Sequence, residues 1–313
     1  VDVDCISDGE TSVVGAIREH IEQAGIHSGD STCFIPAQNI PETMLERIAE
    51  QTKTIGLGLK IQGCFNIQFA IQGDDLYVLE VNPRSSRTVP FVAKASGLPL
   101  ARIAARITIG QPLREQNIPR RTSGQVCVKA PVFPFIKLRG LDPAPGPEMK
   151  STGEVMGSHV DPAAAYLKAR LATELPVPTH GGVYLTVKDE DKEGLIPMAR
   201  SLQEMGFKLH ATKGTARYLR DEADIDVETC YRIAEKQSPD ALDLMRKGKI
   251  QLIINTPRNS GGAVLDGNMM RRLAVELNIP FVTTMSGARM ECEAIRVAQD
   301  GMPEPRRLVV DYV

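Results

Sequence analysis

Two predicted strands joined by a tight turn, within residues 65–90 (FNIQFAIQGDDLYVLEVNPRSSRTVP), most strongly constrain what this chain can fold into. The Gly-Asp-Asp of residues 73–75 predicts the turn. Because side chains alternate between the two faces of a strand, Glu80 and Asn82 point the same way, about 7 Å apart. Gln68 lies on the neighbouring strand. We therefore expect three oxygen-bearing side chains on one face of a sheet.

This set of side chains suits a hard divalent cation, because Mg²⁺ takes oxygen ligands and shares its shell with water and phosphate. Pro83 ends the second strand, since it cannot donate to a sheet. Arg84 and Arg87 follow it, and their planar, permanently charged groups suit the oxygens of a transferring phosphoryl group. The alternative is an edge strand with a solvated polar end, and the pattern alone does not decide between the two.

A loop with the sequence GIHSGD, residues 25–30, is a second candidate element. Its two glycines flank a tight turn, where backbone groups can approach a nucleotide. The alternative is a helix end followed by a turn, which is the commoner arrangement for such a sequence.

The second part of the chain alternates strands with helices, which predicts a parallel sheet covered on both faces. The predicted strands are GVYLTV, FKLHAT, IQLIINT and PFVTTM, and the Pro-rich segment LPVPTHGG precedes them. The fold class is therefore α/β, with a first domain over residues 1–178 and a doubly wound second domain over residues 179–313.

The elements of the first domain are predicted from capping and periodicity. Residues 10–25 (ETSVVGAIREHIEQAG) are interpreted as helical or mixed. An amphipathic helix follows with Pro41 at its first position. Gly97 and Pro99 separate two further helices, and Asp161 is expected to cap a helix that begins at Pro162.

The carboxyl end of the second sheet is a candidate anion site. Thr212 and Thr215 stand at the start of a predicted helix, whose free N–H groups favour phosphate. Lys192 lies just beyond the first strand, and Asn255 ends a later strand, where open α/β sheets bind ligands. Ordinary helix capping by the two threonines is an equal alternative.

Composition excludes several functional classes. The net charge is −2, Trp is absent and aromatic residues make up 4%, so nucleic-acid binding is not expected. No apolar run approaches the roughly 18 residues of a membrane helix. The six cysteines form no CxxC pair and are interpreted as reduced, cytosolic thiols, which predicts a cytoplasmic protein. The chain begins at Val1 inside a predicted strand, and we expect it to be part of a longer polypeptide.

Several motifs in a fixed order resemble one family. The segment LYVLEVNPRSSRTVPFVAKASGLPLARIAARITIG resembles the second ATP-grasp half of the carbamoyl phosphate synthetase large subunit. EHIEQAGIHSGDS and GPEMKSTGEVMG match the same family. The first domain then corresponds to a partial, α+β ATP-grasp domain. The second is similar to the methylglyoxal-synthase-like (MGS-like) domain that closes that subunit.

The resemblance implies that carbamate is phosphorylated directly by ATP to give carbamoyl phosphate. It assigns Mg²⁺ or Mn²⁺ to Gln68, Glu80 and Asn82, and stabilisation of the carbamate and the phosphoryl group to Arg84 and Arg87. ATP contacts fall on Gln68, Glu80 and the loop residues Gly25, Ile26, His27 and Ser28. The resemblance also implies K⁺ near His20, Glu22, Gln23 and Ser31.

The resemblance implies regulation through the second domain by nucleotides such as UMP or IMP. The effector positions are Thr186, Lys192, Thr212, Thr215, Arg232 and Asn255. Two positions depart from the family pattern. Ala130 replaces an acidic residue used for ornithine, so we expect ornithine activation to be lost. Pro257 replaces a hydroxyl residue after the IINT strand and cannot donate a backbone hydrogen bond, which leaves the response to UMP open.

The expected partners are a glutaminase small subunit, the missing amino-terminal part of the large subunit, and a second copy through the second domain, but no membrane. The product would feed pyrimidine and arginine synthesis, and the isolated chain is expected to be inactive. One alternative is a freestanding nucleotide-binding regulatory module. A lyase acting on a triose phosphate is a weaker one, because a fold does not supply catalysis.

Overall fold

The computed structural model describes residues 1–118, 124–135, 142–257 and 262–304. These residues form two compact units. The first comprises Val1–Pro131 and Glu154–Ala165, and the second Val132–Gly153 and Tyr166–Glu304. The boundary at residues 178 and 179 stays a prediction.

In the described part of the first unit, seven strands form one sheet in the order β5-β4-β1-β2-β3-β6-β7. The pairs from β5 through β6 are antiparallel. The strands are β1 (Asp2–Asp8), β2 (Ser12–His20), β3 (Cys33–Ile35), β4 (Gln62–Gln72), β5 (Asp75–Asn82), β6 (Val126–Val132) and β7 (Gly153–His159).

Strand β2 corrects the helical or mixed interpretation of residues 10–25. It pairs with β1 along most of its length and with β3 at Glu19 and His20, so strand neighbours provide partners for its backbone. Val13, Val14 and Ile17 are β-branched, which favours a pleated surface over a helix. The loop that begins at Gly25 (φ 97°) therefore follows a strand, and its interpretation as a helix end is wrong.

Helices pack against both faces of the central strands, because β1 and β4 carry apolar residues on each face. On one face, Met44 and Ile48 of α1 (Glu42–Gly58) pack against Phe65 and Ile67 of β4. On the other face, α2 (Val89–Ser96) and α3 (Leu100–Thr108) pack against Ile6 and Cys64. Strands β1 and β4 are thus largely buried on both sides, which fixes their register, whereas most of β5 is exposed.

The predicted helix boundaries in the first domain are confirmed at Gly97 and Asp161 and need a correction at Pro41. Gly97, in the left-handed conformation at φ 69°, ends α2 as expected. Asp161 accepts hydrogen bonds from the backbone of Ala163 and Ala164 at the start of α4 (Pro162–Leu171), which confirms its capping role. Pro41, however, precedes the first helical residue of α1 instead of occupying the first position.

The described part of the second unit contains a five-stranded parallel sheet in the order β10-β9-β8-β11-β12. Its strands are β8 (Gly182–Thr186), β9 (Lys208–Thr212), β10 (Glu228–Cys230), β11 (Leu252–Asn255) and β12 (Phe281–Val282). Its helices are α5 (Lys192–Glu204), α6 (Lys213–Ala223), α7 (Ala241–Arg246), α8 (Gly262–Glu276) and α9 (Met285–Asp300).

Both faces of this sheet are buried, as a parallel sheet requires. Leu185 and Ile254 pack in the core that α5, α6 and α9 contribute to, whereas Tyr184 and Ile253 pack with α7 and α8. The predicted doubly wound sheet is confirmed. The short elements β10 and α7 were not predicted, since three to six residues leave little periodic signal.

All six cysteines are free and buried, which agrees with the interpretation as core thiols. Within the described residues, none of the helices is both long and apolar enough to cross a membrane.

A buried ion cluster joins β1 and β2. The Nη2 atom of Arg18 lies 2.8 Å from Asp2 Oδ2 and 2.9 Å from Asp4 Oδ2, and all three side chains are at most 2% exposed. Thr88 also donates to Asp4 Oδ2 at 3.0 Å. Burial opposes the charge on Asp2, but the Arg18 guanidinium holds the pKa of that carboxyl below its usual range. Asp2 and Arg18 therefore stay charged inside the unit.

Gly56 of α1 tests how tightly this helix packs. A Cβ atom at this position would lie 2.5 Å from Cζ of the buried Phe65 ring, whereas a Cβ at Gly58 meets nothing within 4 Å. Both changes to Ala add helix propensity. We expect Gly56→Ala to be less stable than Gly58→Ala by about 1–3 kcal/mol, the cost of overpacking a core. Urea titration measures the difference, and equal midpoints would contradict the packing described for α1.

Arg18→Met tests the ion cluster. It leaves two buried carboxylates without their cation, and breaking a buried pair in this way costs about 3–5 kcal/mol. The control is Arg114→Met, because the Arg114–Glu10 pair is 68% and 74% exposed and such pairs contribute about 0–1 kcal/mol. Urea midpoints are again the measurement. A loss for Arg18→Met no larger than that of the control would show that the cluster does not stabilise the unit.

Candidate functional site

The predicted metal ligands meet on one face of the first sheet. Gln68 of β4 lies directly opposite Glu80 of β5, and opposite residues of an antiparallel pair share a face. Asn82 Nδ2 donates a hydrogen bond to Glu80 Oε1 at 2.8 Å. Because its nitrogen faces Glu80, Asn82 presents its oxygen elsewhere. One carboxylate and two amide oxygens form a donor set that fits Mg²⁺ or Mn²⁺.

A β-bulge at Leu79 produces this arrangement. Phe69 pairs with Val78 and Gln68 pairs with Glu80, so β5 has one extra residue between these pairs. Without the bulge, Glu80 would share a face with Val78, on the side that packs against α1. Bulges commonly re-aim side chains next to active sites.

Further polar residues that the sequence interpretation missed continue the same face. Asp2 lies opposite Gln68, and Asp4 lies opposite Asn66, whose Nδ2 donates to Asp4 Oδ1 at 3.4 Å. Arg18 lies opposite Asp2 on the next strand. The alternation of Val and Asp in VDVD was the available signal, because it marks a strand with one charged face.

The two predicted arginines differ in their surroundings. The Arg84 side chain is exposed, and its Nη1 atom donates to the adjacent Ser85 carbonyl at 3.3 Å. Arg87 donates to the Gly29 carbonyl at 3.0 Å. Arg87 therefore binds the end of the predicted nucleotide loop, whereas the Arg84 side chain is exposed to solvent.

Lys129 of β6, which the sequence interpretation also missed, holds the same loop. Its ammonium group is buried and lies 3.1 Å from the Ser28 carbonyl and 3.2 Å from the Gly29 carbonyl. Two cations thus bind consecutive carbonyls of the loop. His27 adds an internal bond, since its Nδ1 accepts from the Gly29 N–H at 3.0 Å. These contacts fix the backbone of the loop that Gly25, Ile26, His27 and Ser28 form.

The residues expected near K⁺ are held in separate bonds. His20 Nε2 lies 3.6 Å from Asp2 Oδ2, which also binds Arg18, and burial lowers the pKa of His20 to about 4. Glu22 accepts the Thr32 N–H at 2.7 Å, and burial raises the pKa of its carboxyl to about 7. Ser31 Oγ donates to the His27 carbonyl at 3.3 Å. The assignment of K⁺ to this group of residues stays a prediction.

The predicted effector residues gather at the carboxyl edge of the second sheet. Thr186, Thr212 and Asn255 end three adjacent parallel strands. Lys192 Nζ lies 5.7 Å from the Tyr218 ring of α6 and bonds Asp189 at 2.7 Å. Its nitrogen is 3.8 Å from the position of a Cβ at Gly214, in the first turn of α6.

The remaining effector candidates complete this edge. Thr215 is buried in the first turn of α6, and Thr212 precedes that helix without capping it through its side chain. Arg232 follows β10, and its Nε atom lies 3.6 Å from Asp266 Oδ2. One edge therefore combines two cations, hydroxyl groups and a helix start, which is a surface suited to phosphate.

Comparisons with known proteins find a family model for part of each unit of the chain. Residues 1–116 match the family model described as carbamoyl-phosphate synthase L chain, ATP binding domain, and residues 194–283 match the MGS-like domain. The biotin carboxylase domain of a single-chain bacterial carboxylase is a distant structural neighbour. It is 19% identical with a TM-score of 0.37 and covers 42% of this chain and 32% of that one, which adds nothing to the assignment.

Curated relatives cover nearly the whole chain. The carbamoyl phosphate synthase large chain of Methanothermobacter thermautotrophicus is 46% identical over 96% of this chain and 28% of its own length. The protein of Methanocaldococcus jannaschii named carbamoyl phosphate synthase large chain, C-terminal section, is 42% identical over 96% of this chain and 50% of its own length. The present chain thus spans between about a quarter and a half of these relatives. It belongs to the carbamoyl phosphate synthase large chain family and corresponds to the carboxy-terminal part of that chain.

Proposed function

We propose that this chain carries the site at which ATP phosphorylates carbamate to carbamoyl phosphate in a longer synthase. The observation that carries the proposal is the β4–β5 register, which sets Gln68 opposite Glu80 and leaves Asn82 bonded to Glu80 on the same face. These residues would hold Mg²⁺ or Mn²⁺, which neutralises the charge of the ATP phosphates when bound.

The protein's part in such a reaction is positioning and charge stabilisation. Arg84, with its guanidinium in solvent, can reach a phosphoryl group. Arg87 and Lys129 fix the loop that would receive the nucleotide, because both hold its carbonyls. The loop N–H groups and carbonyls then keep one geometry during binding.

The overall reaction would use glutamine or ammonia, bicarbonate and two ATP, in the cytoplasm, for pyrimidine and arginine synthesis. A glutaminase small subunit and the amino-terminal part of the large chain would be partners. Because the chain spans only about 28% of full-length relatives, we expect little or no synthesis of carbamoyl phosphate by this chain alone.

The carboxyl edge of the second sheet would bind a nucleotide effector of the UMP or IMP type. Ala130 is buried on β6 and offers no carboxylate for an ammonium group, so ornithine would not activate. The alternative function, a freestanding regulatory module, would use the same edge but need no metal site. Metal binding at Glu80 therefore separates the two.

Glu80→Gln tests the metal site. The change keeps the size of the side chain and an oxygen that can accept from Asn82, but it removes the anionic ligand. We expect Mn²⁺ affinity, measured by electron paramagnetic resonance in the presence of ATP, to fall by at least about tenfold. Asp75→Asn removes an exposed charge at the start of the same strand and should leave the affinity unchanged. Equal affinities in the two variants would favour the regulatory module.

Lys192→Ala tests the effector edge. Loss of a charge-assisted hydrogen bond should weaken UMP binding by about tenfold or more. The control is Lys249→Ala, because Lys249 is exposed and precedes β11, at the opposite edge of the sheet. Calorimetric titration is the measurement. Similar binding by both variants would exclude Lys192 from the site.

A further inference from the structure

Arg271 of α8 is a buried cation that none of the assignments above uses. It is 3% exposed, and its Nε and Nη2 atoms bond both carboxylate oxygens of Asp142, at 3.0 and 2.8 Å. Its Nη1 atom donates to Asn255 Oδ1 at 2.7 Å. One guanidinium therefore joins the end of β11 to a segment more than a hundred residues earlier in the chain.

Gly267, one helical turn before Arg271, leaves space for this guanidinium. A Cβ atom at Gly267 would lie 2.9 Å from Arg271 Nη1 and 3.6 Å from Asn255 Oδ1. The fork of the guanidinium also matches a carboxylate in two parallel bonds, which a lysine cannot reproduce. The site therefore requires an arginine with a small residue beside it.

The contact determines how the Asn255 amide is turned. A guanidinium only donates, so the Asn255 atom that faces it is the carbonyl oxygen. The Nδ2 atom then points away from Arg271 and donates to the Thr186 carbonyl at 3.3 Å. An amide nitrogen carries two N–H groups, and the second has no partner among the described residues. Asn255 therefore presents a donor at the carboxyl edge of the sheet.

Asp142 is itself part of an ordered segment. Its Oδ1 atom accepts from the Ala144 N–H at 3.0 Å. Lys150 Nζ donates to the carbonyls of Asp142 and Ala144, at 3.1 and 2.7 Å. In sequence this segment lies between β6, which carries Lys129, and β7. Arg271 thus connects Asn255 to the backbone of residues 142–150.

We infer that Arg271 is a positioning residue for the ligand of the second sheet, acting in two ways. It fixes Asn255 as a hydrogen-bond donor, so the edge selects a ligand with an acceptor, a phosphate or carbonyl oxygen. It also couples ligand binding at the edge to the order of residues 142–150, because its guanidinium binds both Asn255 and Asp142. The inference rests on the proposed effector role of this edge.

The test combines affinity with hydrogen exchange, using UMP and IMP as probes. Arg271→Met removes all three bonds, and Arg272→Met, an exposed neighbour on the same helix, is the control. We expect Arg271→Met to bind the nucleotide about tenfold more weakly than the control. Nucleotide should slow amide exchange in residues 142–150 of the wild type and of Arg272→Met, but not of Arg271→Met.

A second variant, Asp142→Asn, separates the orientation of Asn255 from the coupling to residues 142–150. Its result remains informative even if Arg271→Met fails to fold. It keeps the Arg271–Asn255 bond, so affinity should stay within about threefold of wild type, while the nucleotide-dependent protection of residues 142–150 is lost. A purely structural Arg271 would lower the melting temperature and leave affinity and protection equal to those of the control, which would overturn the inference alone. Failure of the wild type to bind either nucleotide would overturn the effector assignment and the inference with it.

Discussion

A single extra residue in β5 determines which side chains share the polar face of the first sheet. The bulge at Leu79 turns Glu80 and Asn82 away from the side that α1 covers and onto the face of Gln68. Strand register is normally fixed by burial of the apolar face, and here Phe65 and Ile67 pack against α1 and hold β4 in place. Leu76 before the bulge and Val81 after it both pack against that core, so the bulge lets the edge strand contact the core and still direct two polar side chains to the opposite face.

The same face continues into a set of buried charges that would be costly if any one were unpaired. Arg18 lies between Asp2 and Asp4. Asp4 also accepts hydrogen bonds from the side chains of Thr88 and Asn66. Such a network leaves little freedom for the strands that carry it, so the groups on the exposed end of the face are presented from a rigid support. A site built on strands instead of loops keeps its geometry in this way.

The sequence predicted the parts of the fold that have a strong local pattern. The second sheet was predicted because alternating apolar strands and helices leave few other arrangements. The shared face of Glu80 and Asn82 was predicted because side chains two residues apart on a strand point the same way. Strand β2 was mistaken for a helix or a mixture, since the partners that satisfy its backbone, β1 and β3, are set by the tertiary fold. Lys129 and Arg271 had no sequence signal, because a buried cation is identified only by the carbonyls and carboxylates that surround it.

Each proposed site contains an asparagine, Asn82 in the first sheet and Asn255 in the second. The charged residue beside each one determines whether its oxygen or its nitrogen is left to face a ligand. Asn82 donates to the Glu80 carboxylate, so its oxygen is the atom left to face a ligand, and oxygen suits a metal ion. Asn255 accepts from the Arg271 guanidinium, so its nitrogen is the atom left, and an N–H donor suits a phosphate or carbonyl. An acidic neighbour thus makes an amide complementary to a cation, and a basic neighbour makes it complementary to an anion. The polarity of each proposed site follows from the residue next to its asparagine, even though the amide itself is neutral.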